Sequence, residues 1–200
     1  MTRPGSSGEQ RAQERFGTSA RAAAFYAHQS LPHRNPQMQQ FIARMDMVFI
    51  ATADGKGACD CSFRAGEPGF VQVLDEKTLV YPEYRGNGVL ASLGNILENP
   101  HIGLIFPDFY QSTVGLHVNG TARVLNPSET ESLSQLPARI AEAAHIKGGR
   151  HPKAWVLIGV EEAYIHCSKH VPLLKRLDKQ IAWGSDDEQA KGGNFFKVTP

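Results

Sequence analysis

The stretch YPEYRGNGVLASLGN, residues 81–95, concentrates more potential chemistry than any other part of this 200-residue chain. An apolar strand ends there, a loop presents Tyr84, Arg85, Gly86, Asn87 and Gly88, and a helical pattern begins. Backbone N–H groups at the start of a helix, with a guanidinium beside them, make an anion site, and phosphate is the usual occupant. The glycines let the backbone approach such an anion closely. The same residues also read as an ordinary turn in which Asn87 caps the helix. Both readings stay open on these residues alone. No Gly-Lys-Ser/Thr follows the glycines, which excludes a nucleotide-triphosphate loop. The preceding strands read as a meander and not as a βαβ unit, which excludes a dinucleotide fold.

A second group, Tyr164-Ile165-His166-Cys167-Ser168-Lys169-His170, brings histidines and a lysine together near the end of a long strand. Such side chains stabilise negative charge on a nearby ligand; the plain alternative has Ile165 and Cys167 in the core with His166 and Lys169 solvated. Cys59-x-Cys61 matches no common closed zinc pattern. Nothing marks any of the three cysteines as a reactive thiolate, so they are expected as small core residues. Alternation puts Leu116 and Val118 on one face of a strand and His117 on the other; whether that second face is pocket or solvent stays open. Trp155 and Trp183 are expected as core or interface aromatics.

These residues need elements to position them. Residues 9–30 are Ala- and Arg-rich without proline and predict a helix, with Phe16, Ala20, Ala23 and Ala24 near one face. Residues 31–36 break it, and 37–44 predict a second, short helix. The period then shortens. Strands are predicted at 47–53, 58–63, 70–74, 78–81, 102–106, 113–125 and 154–167, separated by turn chemistry such as Asp54-Gly55-Lys56-Gly57. Asn119-Gly120 marks a bulge or kink in the long strand. Helices are predicted at 89–98, with Val89, Leu93, Ile96 and Leu97 at helical spacing, and from Pro127 to about 144, capped by Asn126. Residues 168–176 have the pattern of a helical turn. About six antiparallel strands with peripheral helices indicate a small closed or split barrel.

Composition narrows the partners. Lys plus Arg number 21 against 20 for Asp plus Glu, too even for a phosphate-backbone binder, so no nucleic acid is expected. No run approaches a membrane span, and the polar start has no signal-peptide core. With three cysteines and no disulfide framework, a cytoplasmic location is expected.

The order of segments is more specific than any one of them: MVFIATADGKG, CSFRAGEPGFVQVLDEKTLVYPEYRGNG, NPHIGLIFPDF, GLHVNGTARVL and AYIHCSKH. In this order the chain resembles the pyridoxamine 5′-phosphate oxidase-like family of FMN-binding split β-barrels, over roughly residues 41–183. The resemblance implies a mainly β fold, a six-stranded antiparallel split β-barrel that is homodimeric. Residues 1–40 then form an N-terminal tail and helical extension, 41–183 the FMN-binding barrel, and 184–200 a C-terminal tail.

The resemblance also implies FMN as cofactor and a set of contacts. The strand at 70–74, including Val71, would run beneath the flavin, and Tyr84, Arg85 and Asn87 would hold its phosphate. Arg64 would add a second positive charge, and Ser62, Ser92 and Asn95 further polar groups. His117 lies where the family often places a flavin-facing residue, and Lys169 would come from the partner subunit with the segment around His166. Against the true oxidase, Tyr84-Arg85-Gly86 keeps one basic residue where a Ser-Arg-Lys cluster is expected. The ending Trp183-Gly184-Ser185-Asp186-Asp187 lacks the oxidase's substrate-binding finish, so its substrate is not carried over. The expected function is an FMN-dependent oxidoreductase acting on a small molecule. The alternatives are a flavin carrier or redox-sensing protein, or a relative holding haem or a deazaflavin in the same cleft.

Overall fold

The computed structural model describes residues 4–130, 138, 142, 151–181, 184, 185, 187 and 189–198. The N-terminal region forms two helices, α1 (Ser7–Arg15) and α2 (Ser19–Gln29), where the sequence predicts one. Gly17 adopts φ +66, a left-handed conformation that stops α1, and Phe16 beside it is exposed instead of packed. The last residue of the predicted helix, Ser30, and the first of the predicted break, Leu31, instead form strand β1 (Ser30–Leu31). Arg34, two residues from Pro32, is fully buried. It donates to the carbonyls of Asp75 (2.5 Å) and Thr78 (3.1 Å), and burial lowers its pKa to about 10. Helix α3 (Pro36–Arg44) follows, with Asn35 as its cap and Pro36 in its first turn.

The body is one antiparallel sheet. Its strands are β2 (Met47–Ala53), β3 (Cys59–Ala65), β4 (Gln72–Val73), β5 (Thr78–Glu83), β6 (His101–Pro107), β7 (Gly115–Leu125) and β8 (Ala154–His166). The pairing order is β3-β2-β6-β7-β8-β5-β4, with β1 also on β8, which makes eight strands and not six. Among the described residues β3 and β4 end this path and do not pair with each other, so the sheet is not closed. The predicted 70–74 strand shrinks to Gln72–Val73 because Phe70 and Val71 leave the ladder for the core.

Register explains where the core lies. Ser62, Ile50, Leu104, Val118 and Ala163 stand opposite one another across five strands. The last four are at most 2% exposed, so this inner face carries the core, roofed by Ile42 of α3 and by Leu93 and Ile96 of α4 (Ala91–Glu98). Val89 and Leu97, predicted on the same helical face, are exposed: α4 starts two residues later than the pattern suggests, and Leu97 lies off its buried face. The irregularity foreseen at Asn119-Gly120 is a register shift between β7 and β8. Glycine is required there, since a Cβ on Gly120 would lie 2.0 Å from the Gly159 carbonyl oxygen.

Of the helix predicted from Pro127, α5 (Pro127–Thr130) is described and the rest lies outside the described residues, as does Trp183. The Glu129 carboxylate accepts from the Asn126 N–H at 2.7 Å, so the cap works through Asn126's backbone. The turn predicted at 168–176 is limited to Ser168–His170. All three cysteines are exposed, and so is Ile165, which corrects their expected place in the core: Cys59 and Cys61 alternate with Asp60 and Ser62 onto the outer face of β3, while Ile165 and Cys167 lie at and just past the end of β8, where the cover over the inner face stops.

Candidate functional site

At the end strand β3 the inner face turns polar. Asp60, Ser62 and Arg64 alternate along it, opposite the buried Thr52, Ile50 and Val48 of β2. Here the core row runs out, and a cleft of about 830 Å³ opens between β3, the end of β5 and the loop leading into α4. It is lined among others by Asp60, Ser62, Phe63, Arg64, Glu83, Tyr84, Arg85, Asn87, Leu90 and Ser92.

One hydrogen-bonded chain crosses its floor. Arg64 Nε and Nη2 both lie 3.0 Å from a Glu83 carboxylate oxygen, and Nη2 donates to Ser92 Oγ at 3.3 Å. Ser92 Oγ in turn lies 3.2 Å from Ser62 Oγ, and Ser62 donates to Asp60 at 3.0 Å. Burial pushes the Glu83 carboxyl above its ordinary pKa, and the Arg64 charge and hydrogen bond pull against that rise. The guanidinium expected as a second phosphate ligand is therefore already committed to a buried carboxylate.

The rim is built from the loop after β5. Asn87 does not cap α4; its Oδ1 accepts from the Val89 N–H at 3.0 Å and closes a local turn. Gly86 and Gly88 have positive φ, and a Cβ on either would meet nothing within 4 Å, so their backbone faces open space. The cap position falls to Leu90, at φ 56 and ψ 33, which offers no side-chain acceptor to the first turn. An L-residue in this left-handed region stores roughly 1 kcal/mol or more. The α4 amides thus begin without a side-chain partner at the mouth of the cleft.

Six of the ten residues proposed from sequence meet in this cleft: Ser62, Arg64, Tyr84, Arg85, Asn87 and Ser92. The other four stand elsewhere. Val71 is 1% exposed inside the core. Asn95 lies below the cleft, where its side-chain N–H bonds Thr52 Oγ1 at 3.0 Å and ties α4 to β2. Lys169 is exposed on the turn after β8. His117 faces away from the core, stacked on Tyr164 (4.6 Å, 15°) with Nε2 at 2.9 Å from His166 Nδ1. Burial and the neighbouring His166 lower the His117 pKa, while Glu162 opposes the change. Asp60 and Glu83 were not singled out beforehand. Alternation with Ser62 and Arg64 would have found Asp60, and Glu83 stands one strand period beyond Tyr81. Gly184, Ser185 and Lys191 also line the cleft, and no local pattern announces them. Among the described residues no cluster of three metal-ligating side chains exists, and no helix is long and apolar enough to cross a membrane.

Comparison with known proteins agrees with this architecture. A histidine-to-alanine variant of HupZ from Group A Streptococcus is 23% identical over 66% of this chain and 98% of its own, with a TM-score of 0.50. A Clostridium acetobutylicum protein related to general stress protein 26 of B. subtilis, of the pyridoxinephosphate oxidase family, is 16% identical over 65% and 85%, at 0.45. HutZ, the heme storage protein from Vibrio cholerae, is 16% identical over 64% and 88%, at 0.43. No curated protein sequence matches the chain. The family described as pyridoxamine 5′-phosphate oxidase matches residues 35–167, two thirds of the sequence, and the chain belongs to that family.

Proposed function

We propose that this protein binds FMN in the cleft between β3 and α4 and works as a homodimeric, cytoplasmic, FMN-dependent oxidoreductase on a small molecule. One observation carries the reading: Arg85, the open Gly86 backbone and the uncapped start of α4 line a single cleft. That combination suits a phosphate, because guanidinium and backbone N–H groups both donate to its oxygens. The cleft's volume falls within the roughly 300–1,000 Å³ of small-molecule sites. Phe63, Val89 and Leu90 add an apolar wall suited to a planar ring.

Tyr84, Arg85 and Asn87 would hold the phosphate end, and Ser62 and Ser92 would face the rest of the cofactor. Bound FMN supplies the electron-accepting chemistry of its ring. The chain's own part is to bind, orient and exclude water. Arg64 and Glu83 hold each other at a fixed place, so neither is available as a mobile acid or base. In the proposed dimer, the partner subunit's His166–Lys169 segment closes the side of the cleft that its own chain leaves open.

The absorption spectrum of freshly purified protein tests the ligand: an oxidised-flavin spectrum is expected, and a haem or deazaflavin spectrum would overturn the reading. Arg85→Ala should weaken FMN roughly tenfold to a hundredfold, about 1.5–3 kcal/mol, and leave riboflavin unchanged. Equal weakening of both would make Arg85 a support for the loop's shape. Bound FMN that no electron donor and acceptor pair turns over would leave a flavin carrier.

A further inference from the structure

The hydrogen-bonded row on the cleft floor has a carboxylate at each end, and the two ends differ. Glu83 holds the Arg64 guanidinium. Asp60, half-buried on β3 opposite Thr52, has no ion-pair partner among the described residues. Its Oδ2 accepts from Ser62 Oγ at 3.0 Å and lies 3.5 Å from Ser92 Oγ, while its Oδ1 accepts no hydrogen bond from the described residues. A guanidinium only donates and a carboxylate only accepts, so the ends fix the direction of every proton between them. Arg64 donates to Ser92 Oγ, Ser92 turns its single proton towards Ser62 or Asp60, and Ser62 gives its own to Asp60. Both serine protons are thereby spent within the row. What this end of the floor offers a ligand is lone pairs, those of Asp60 and Ser62, and both residues line the cleft.

That polarity dictates what the ligand must bring. A phosphate monoester carries roughly −1.5 to −2 at neutral pH and is repelled by the Asp60 carboxylate. A donor is attracted instead, and its hydrogen bond to a carboxylate is of the strong, charge-assisted kind. Two acceptor oxygens 3.0 Å apart suit neighbouring hydroxyls of a polyol, which present donors at similar spacing, better than a single N–H. We infer that Asp60 and Ser62 form a polyol subsite that binds neighbouring hydroxyls of the ligand. The subsite also sets the ligand's direction in the cleft, with the phosphate towards the 84–88 loop and the hydroxyls over Asp60. This rests on the flavin reading for the identity of the ligand, whose side chain carries such hydroxyls, and on the proton order above for the subsite.

The test compares binding of FMN, riboflavin and lumiflavin to the full chain by flavin fluorescence; lumiflavin keeps the ring and lacks the hydroxyl chain. Asp60→Ala should weaken FMN and riboflavin alike, roughly tenfold to a hundredfold, and leave lumiflavin unchanged. Asp60→Asn keeps the shape and an acceptor oxygen without the charge. It should weaken both hydroxylated flavins by about threefold to tenfold, and it carries the same comparison where the alanine variant does not fold. Unchanged affinity for FMN and riboflavin would overturn the subsite. So would an equal loss of lumiflavin, which would make Asp60 a contact of the ring or a support for the floor. A wild type that binds no flavin overturns the flavin reading instead. Ribose 5-phosphate then decides the subsite separately: amide signals of residues 60–62 should shift in the wild type and respond more weakly in Asp60→Asn. No shift in the wild type, or an equal shift in both proteins, would overturn it.

Discussion

The cleft and the patch around His117 are both polar regions of the same sheet, and both attract attention in the sequence. Their geometry separates them. Ser62 and Arg64 stand on the inner face, in register with Ile50 and Val48, at the strand where that face meets solvent. His117 stands one residue out of phase, in the row Phe63, Phe49, Ile105, His117 and Tyr164 on the outer face. There the Tyr164 ring meets Phe25 of α2 edge-on at 5.7 Å, and Ser30 bonds Glu162 at 3.0 Å, so the patch fastens the N-terminal region to the sheet. In the cleft, the bonded polar groups floor an open volume of about 830 Å³; on the outer face they pack directly against rings and helix. A concave polar site is a place for a ligand, whereas a mutually satisfied flat one is a place for packing.

Removing one partner in each region sharpens the contrast. Arg64→Met should have the largest effect, about 3 kcal/mol of lost stability, because it leaves Glu83 buried without its counter-charge. Chemical denaturation would measure it. The loss should shrink at acidic pH, where Glu83, whose pKa burial already raises, takes up a proton. Adding Glu83→Gln should restore much of it. A mutant as stable as the wild type would mean that the pair contributes nothing to the fold.

On the outer face, His117→Phe keeps a ring against Tyr164 and deletes the contact with His166. The expected cost is about 1 kcal/mol, with FMN affinity unchanged. Its pH dependence is more telling. The His117 pKa lies below the usual 6.5, so the unfolded chain binds this proton more readily than the native one. Native stability from this source is full above 6.5 and declines as pH falls through 6.5 towards the lowered value. Denaturation of wild type and His117→Phe across that window should show the decline in the wild type alone. A parallel decline in both proteins would place the proton elsewhere.

The smallest effect is expected at Lys169. Within one chain it lies outside the cleft, so only a second subunit brings it to the ring. Lys169→Met should then make bound flavin harder to reduce, by up to about 30 mV, equivalent to roughly 1.4 kcal/mol in a two-electron couple. Redox titration measures the shift. An unchanged potential with FMN still bound removes Lys169 from the site and weakens the case for a shared cleft.

Much of the architecture was legible because local chemistry dictates it. The strand at Met47–Ala53 has the predicted bounds, closed by Asp54, whose carboxylate accepts the Lys56 and Ala58 N–H groups at 2.9 and 2.8 Å. The loop at 84–88 and the irregularity at Asn119-Gly120 were likewise visible as glycine and asparagine at positions that need them. Other features had no local signature. Two-residue strands such as β1 exist only because β8 is there to pair with them. Whether His117 faced a pocket or a covered surface depended on which side of the sheet α2 and α4 occupied. The pairing of Arg64 with Glu83 joins residues nineteen apart, and Lys191 lines the cleft from a segment far along the chain. Periodicity and turn chemistry act between near neighbours and are written in the sequence. Burial, charge pairing and concavity arise between distant segments, so they were decided only when the sheet assembled.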